Sequence, residues 1–72
     1  MSYGYSTHIV RLNKKADTKL LGVRLGRACI KKDISVITVA ARVGVSRQTV
    51  YNWFCGRTPM PLHTYAALRN YI

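Results

Sequence analysis

The sequence predicts an all-α domain of four helices preceded by an extended N-terminal segment. Three observations carry this expectation. Gly44 sits in a fixed register between two apolar-periodic segments, with the small Ala40 four residues before it and the branched Val50 six after it. Ser35 and Ser46 stand immediately before those segments, where a side-chain oxygen caps a helix N-terminus. The chain has 72 residues, 49% of them hydrophobic, enough for one small core and too little for a deep catalytic cleft.

Residues 1–15 form a separate zone. Tyr3, Tyr5, Thr7, Ile9 and Arg11 alternate with smaller or differently polar residues, which predicts an N-terminal arm or a short strand. Arg11, Lys14 and Lys15 make its end basic. Residues 16–72 make up the helical domain. Its first helix is expected to begin near Asp17 or Thr18 as cap and to run through LLGVRLGRACIKK. Leu21, Leu25, Ala28 and Cys29 give it an apolar stripe, and Gly22 and Gly26 allow close packing. Lys31 and Lys32 lie at its C-terminal end, favourable for the helix dipole.

The second helix is expected over 36–43 and the third over 47–55, with Gly56 ending the third. Val39, Val43, Val45 and Trp53 complete an apolar set between the two. A sharp turn at Gly44 and a small residue at the crossing make this pair read as a helix-turn-helix. Pro59 and Pro61 hold the next stretch as a loop. A fourth helix over 62–71 is expected to turn Leu62, Tyr65, Ala66, Leu68 and Ile72 toward the core.

Charge narrows the partner. Twelve Lys and Arg face two acids, Asp17 and Asp33, for a net charge of +10. Such a surface attracts polyanions, and nucleic acid is the favoured one. A membrane surface is disfavoured because no long basic amphipathic helix is evident. No apolar run approaches transmembrane length and no signal core is seen, so the expected location is the cytoplasm of a bacterial cell, with a phage-encoded origin in view. Cys29 and Cys55 have neither zinc-site spacing nor a disulfide framework and read as reduced thiols. His8 and His63 lie in separate segments with no nucleophile arrangement. No metal, cofactor or enzymatic activity is expected.

On a helical wheel, Val50, Trp53 and Phe54 fall inward while Arg47, Gln48, Tyr51 and Asn52 fall outward. Arg suits guanine O6 and N7, and Gln and Asn suit adenine N6 and N7 in the major groove of double-stranded DNA. Tyr51 is open between meeting DNA and covering the edge of the core. Ser46, at the helix N-terminus, is a phosphate candidate as well as a cap. Thr49, Arg57, Arg42, Lys14 and Lys15 complete the phosphate candidates.

The stretch LGVRLGRACIKKDISVITVAARVGVSRQTVYNWFCGR, with Pro59 and LHTYAALRNYI after it, resembles the Cro/repressor-type helix-turn-helix regulators of phages and bacteria. The resemblance implies a lambda-repressor-like fold. It implies base reading by Arg47, Gln48 and Asn52, and phosphate contacts by Ser46 and Arg57. There are departures. Val36 replaces the Gln with which the family often opens its second helix. Cys29 and Phe54 stand where relatives often bury an Arg–Glu pair, and an apolar pair can replace such an ion pair at little cost. Cys55 replaces an Asn.

The expected function is therefore sequence-specific, double-stranded DNA-binding transcription regulation, as a repressor. A homodimer on a palindromic site is expected, because one copy reads too few base pairs. The dimer would use the fourth helix, the tyrosine-rich N-terminus or the DNA itself. Two alternatives stand beside it. One is a small interaction protein, an antitoxin or a host-enzyme inhibitor, with a protein partner. The other is a non-specific architectural DNA binder.

Overall fold

Five helices account for most of the described residues, 6–72, of the computed structural model: α1 (Thr7–Lys15), α2 (Leu21–Lys32), α3 (Val36–Val43), α4 (Arg47–Phe54) and α5 (Leu62–Tyr71). No strand occurs among the described residues. None of their helices is long and apolar enough to cross a membrane.

The helix ends follow local chemistry. Ser6, Ser35 and Ser46 each accept a hydrogen bond from the backbone N–H three residues on, at Ile9, Thr38 and Thr49. Each bond satisfies one of the amides that a helix N-terminus leaves without an intrahelical partner. Three helices stop at a left-handed residue: Asp33 (φ 59°) after α2, Gly44 (φ 71°) after α3 and Gly56 (φ 76°) after α4. After α4 the Gly56 N–H bonds to the Trp53 carbonyl at 3.2 Å and the Arg57 N–H to the Asn52 carbonyl at 2.9 Å. That pair of hydrogen bonds is the Schellman arrangement, which closes the helix and reverses the chain. At Gly44 the left-handed turn brings α4 back across α3, a conformation that costs a side-chain-bearing residue about 1–2 kcal/mol.

α2 is the central helix. One side of it receives α4 at very short range. A Cβ built on Gly22 would lie 2.6 Å from the Trp53 carbonyl oxygen, and one on Gly26 would lie 2.6 Å from Phe54 Cγ. The two glycines are thus a seat into which the end of α4 drops, as their spacing predicts. Around this seat lie Leu25, Cys29, Val36, Val39, Val50, Trp53, Phe54 and Leu68, all buried. Cys29 and Phe54 are both fully buried within this core.

α1 lies against another part of α2, and here the expectation fails. Residues 7–15 are neither an arm nor a strand but a helix. Residues 1–5, which hold Tyr3 and Tyr5, lie outside the described residues. Two features override the weak alternation: Ser6 caps the helix, and Ile9, Val10 and Asn13 recur at helical spacing on the side that packs. Asn13 is 1% exposed, and its amide Nδ2 donates to the Val23 carbonyl at 3.2 Å and the Phe54 carbonyl at 2.7 Å. One side chain therefore joins α1, α2 and the end of α4. Arg27 answers from α2, its Nη2 donating to the Asn13 and Lys14 carbonyls at 3.1 and 3.2 Å. A cation on the last carbonyls of a helix is favoured by the helix dipole.

Three smaller expectations also need correction. α2 starts at Leu21 without a side-chain cap, because the Asp17 carboxylate instead closes a turn on the Lys19 N–H at 2.9 Å. The buried side of α2 includes Val23, fully enclosed, since α1 and α4 cover the helix from two directions. On α5, Leu68 is buried and Tyr65 and Ile72 are half-buried, but Ala66 is exposed and Leu62 is 70% exposed. Met60, held between two prolines, enters the core near the start of α5 in place of Leu62.

Candidate functional site

α4 presents its candidate residues on a rigid support. Val50, Trp53 and Phe54 are buried, and the helix is fixed at its far end by the α2 glycines and by Asn13. Its outer side then carries Arg47 and Gln48, both exposed, and Tyr51 and Asn52, both half-buried. Gln48 Nε2 donates to Asn52 Oδ1 at 3.1 Å, one helical turn apart. This bond leaves Gln48 Oε1 as an acceptor and Asn52 Nδ2 as a donor on the outer surface. The two amides are thereby oriented as a unit. Tyr51 packs its ring against the edge of the core, which answers one half of the question its position raises.

The start of α4 is capped by a serine. Ser46 Oγ accepts from the Thr49 N–H at 3.2 Å and lies 2.9 Å from Thr49 Oγ1, so the two hydroxyls are joined by one hydrogen bond. Among the described residues, no acid stands in the first turn of α4 or of the other four helices. Arg47 therefore begins the helix in an uncompensated positive field. Ser46, Arg47, Gln48, Thr49, Tyr51 and Asn52 are brought together on this one element.

The remaining candidates are spread more widely. Arg57 is exposed just beyond the C-terminal end of α4, at the opposite end from Arg47, and its backbone is pinned by the Asn52 carbonyl. Arg42 lies in the last turn of α3 with its guanidinium 4.3 Å from the centre of the Tyr71 ring, a cation–π contact that ties α3 to α5. Lys14 and Lys15 occupy the last turn of α1 rather than an arm, next to the Asn13 anchor at the C-terminal end of α4.

Sequence reasoning missed Asn13 and Arg27. The signal for Asn13 was present: Ser6 before a run with Ile9, Val10 and Asn13 at helical spacing is a capped amphipathic helix with a polar residue on its inner side. Arg27 had no comparable signal, because its role depends on where α1 ends in space.

Cys29 lies in the core, and Cys55, half-buried, caps the C-terminal end of α4. Burial pushes the Cys29 thiol up from 9.0 to about 11, and nearby Lys32 only partly opposes this. Burial also raises Cys55, against a lowering influence from Arg57. Among the described residues no group of three or more His, Cys, Asp or Glu is placed to hold a metal ion. Comparison with protein-family models, curated proteins and solved structures gave no match to this chain.

Proposed function

We propose that α3, the turn at Gly44 and α4 form a helix-turn-helix, and that the protein is a sequence-specific transcriptional regulator, a repressor, that reads duplex DNA. The observation that carries this reading is the outer side of α4. A guanidinium and a coupled pair of amides stand there on a helix whose opposite side is locked into the core. These are the groups that match base edges in the major groove, where each good bidentate contact contributes about 1–3 kcal/mol of discrimination.

The charge supports the same reading. A net charge of +10 favours phosphate over any neutral partner, and the acid-free N-terminus of α4 adds to it. In this reading Ser46, Thr49 and Arg57 hold phosphates on either side of the reading residues. Arg42 is the weakest of the phosphate candidates, because it must keep or give up Tyr71 to reach DNA. A homodimer follows from the arithmetic of recognition: one α4 spans too few base pairs to find a site in a genome.

Selection from a pool of random duplexes, with the solution mass measured alongside, tests the proposal. Convergence on a palindromic motif by a dimer is the expected result. Binding that falls with salt but selects no motif points instead to an architectural binder. Failure to retain duplex DNA at low salt, together with one stoichiometric protein partner, points to an interaction protein such as an antitoxin.

A further inference from the structure

A cleft of about 420 Å³ runs between α1 and α2, lined by Val10, Asn13, Lys14, Arg27, Ile30 and Lys31. Its floor has the aliphatic Val10 on α1 and Ile30 on α2, beside the buried Asn13 whose amide is already engaged by the Val23 and Phe54 carbonyls. Its rim carries three cations, Lys14, Arg27 and Lys31, and neither acid of the chain lines it. Arg27 spends one nitrogen, Nη2, on the end of α1, which holds the guanidinium in place beside the cleft. Lys14 and Lys31 are exposed and come from the two facing helices.

An aliphatic floor inside a cationic rim has a definite complement. A nucleic-acid backbone would satisfy the rim but would leave Val10 and Ile30 against charged phosphate. A neutral apolar segment would cover the floor but bury three uncompensated charges, a costly exchange. A second copy of this chain is a poor occupant, because its two acids are Asp17, engaged in a turn, and Asp33, alone at the end of α2. We infer that the α1–α2 cleft is a docking site for an acidic amphipathic segment of a partner protein, seating one or two aliphatic side chains between Val10 and Ile30 while flanking carboxylates meet Lys14, Arg27 and Lys31. This is independent of base reading by α4, and would join a protein partner to the same small body.

The test uses a helical peptide of leucines at i, i+3 and i+7 with glutamates on both flanks, followed by amide chemical shifts and fluorescence anisotropy on the full chain. Shifts centred on residues 10, 13, 14, 27, 30 and 31 are expected, with saturable binding. Polyglutamate of the same charge is expected to bind at least tenfold more weakly. The Lys31→Glu substitution, at an exposed position, is expected to weaken the leucine–glutamate peptide at least fivefold without altering the fold. Equal binding of polyglutamate overturns the inference, since that is bulk charge attraction alone. So does a duplex that shifts the same residues more strongly than the peptide. Binding that emerges only after residues 1–5 are deleted also overturns it, because the chain's own first residues would then be the occupant.

Discussion

Replacing Gly26 with alanine tests the seat on which the candidate reading helix rests. On an open helix surface Gly→Ala stabilises by about 0.8–1.0 kcal/mol. Here the new Cβ would fall 2.6 Å from Phe54 Cγ, 2.8 Å from Phe54 Cβ and 2.9 Å from Phe54 Cδ1. Comfortable carbon–carbon separations are about 3.5–4.0 Å, so α2 and α4 must part by about 1 Å. The obstructing atoms lie close to the α4 backbone, so no side-chain rotation relieves the clash. Overpacking of a core costs about 1–3 kcal/mol, and a displacement of a whole helix belongs at the upper end. Subtracting the gain in helix propensity leaves a net loss of about 2 kcal/mol, or about 8–16 °C in Tm for a domain this small. Urea unfolding followed by circular dichroism measures it. A Gly26→Ala protein that is more stable by about 1 kcal/mol would refute the close seat, because only an open surface gives that result. Gly22→Ala is expected to behave alike, since its Cβ meets the Trp53 carbonyl oxygen at 2.6 Å.

Other expectations follow from single contacts. Asn13→Asp sets a carboxylate against the Val23 and Phe54 carbonyl oxygens, so its folded-state pKa must rise above the unfolded value of about 3.9; unfolding midpoints should match the parent most closely below that pH and fall as pH rises through the raised value. A loss independent of pH would show that the site is wet. Asp33→Gly relieves a left-handed residue (φ 59°) and removes an anion from the end of α2, and a gain of about 0.5–1 kcal/mol in urea unfolding is expected; a loss would mean the carboxylate holds a contact worth more than the strain. Cys29 keeps its proton to about pH 11 when folded and to 9.0 when unfolded, so it stabilises fully below pH 9 and loses that contribution as pH rises through 11. Stability should fall by up to about 1.4 kcal/mol per pH unit in that window relative to Cys29→Ala, and a thiol reagent should label half-exposed Cys55 first. Equal labelling rates would contradict the burial of Cys29.

The helices from Val36 to Phe54 were legible because each signal there is local. Serine caps, a left-handed glycine and an apolar period act within a few residues and do not depend on what packs outside them. The bounds of α5 were legible for the same reason, between Pro61 and the last aromatic residue. Its orientation was not: Met60, in the proline loop before it, is buried, whereas Leu62 at its start is exposed. α1 was misread because alternation and helical spacing coincide over so short a run. What separates them is Asn13, whose amide finds two carbonyls from α2 and α4 only once all three helices are assembled. The candidate reading residues were readable by type and side of the helix. The Gln48–Asn52 bond that couples them is a matter of rotamers, which spacing allows without specifying.

The central claim is that the outer side of α4 reads bases, and Asn52 tests it most directly because removing its amide changes no charge. Once selection has supplied a preferred duplex, the affinities of the parent and of Asn52→Ala are compared on that duplex and on a scrambled one at the same salt. The account predicts a loss of about 5- to 150-fold on the preferred duplex, the equivalent of about 1–3 kcal/mol, and no change on the scrambled one. An Asn52→Ala protein that distinguishes the two duplexes as well as the parent does would contradict it.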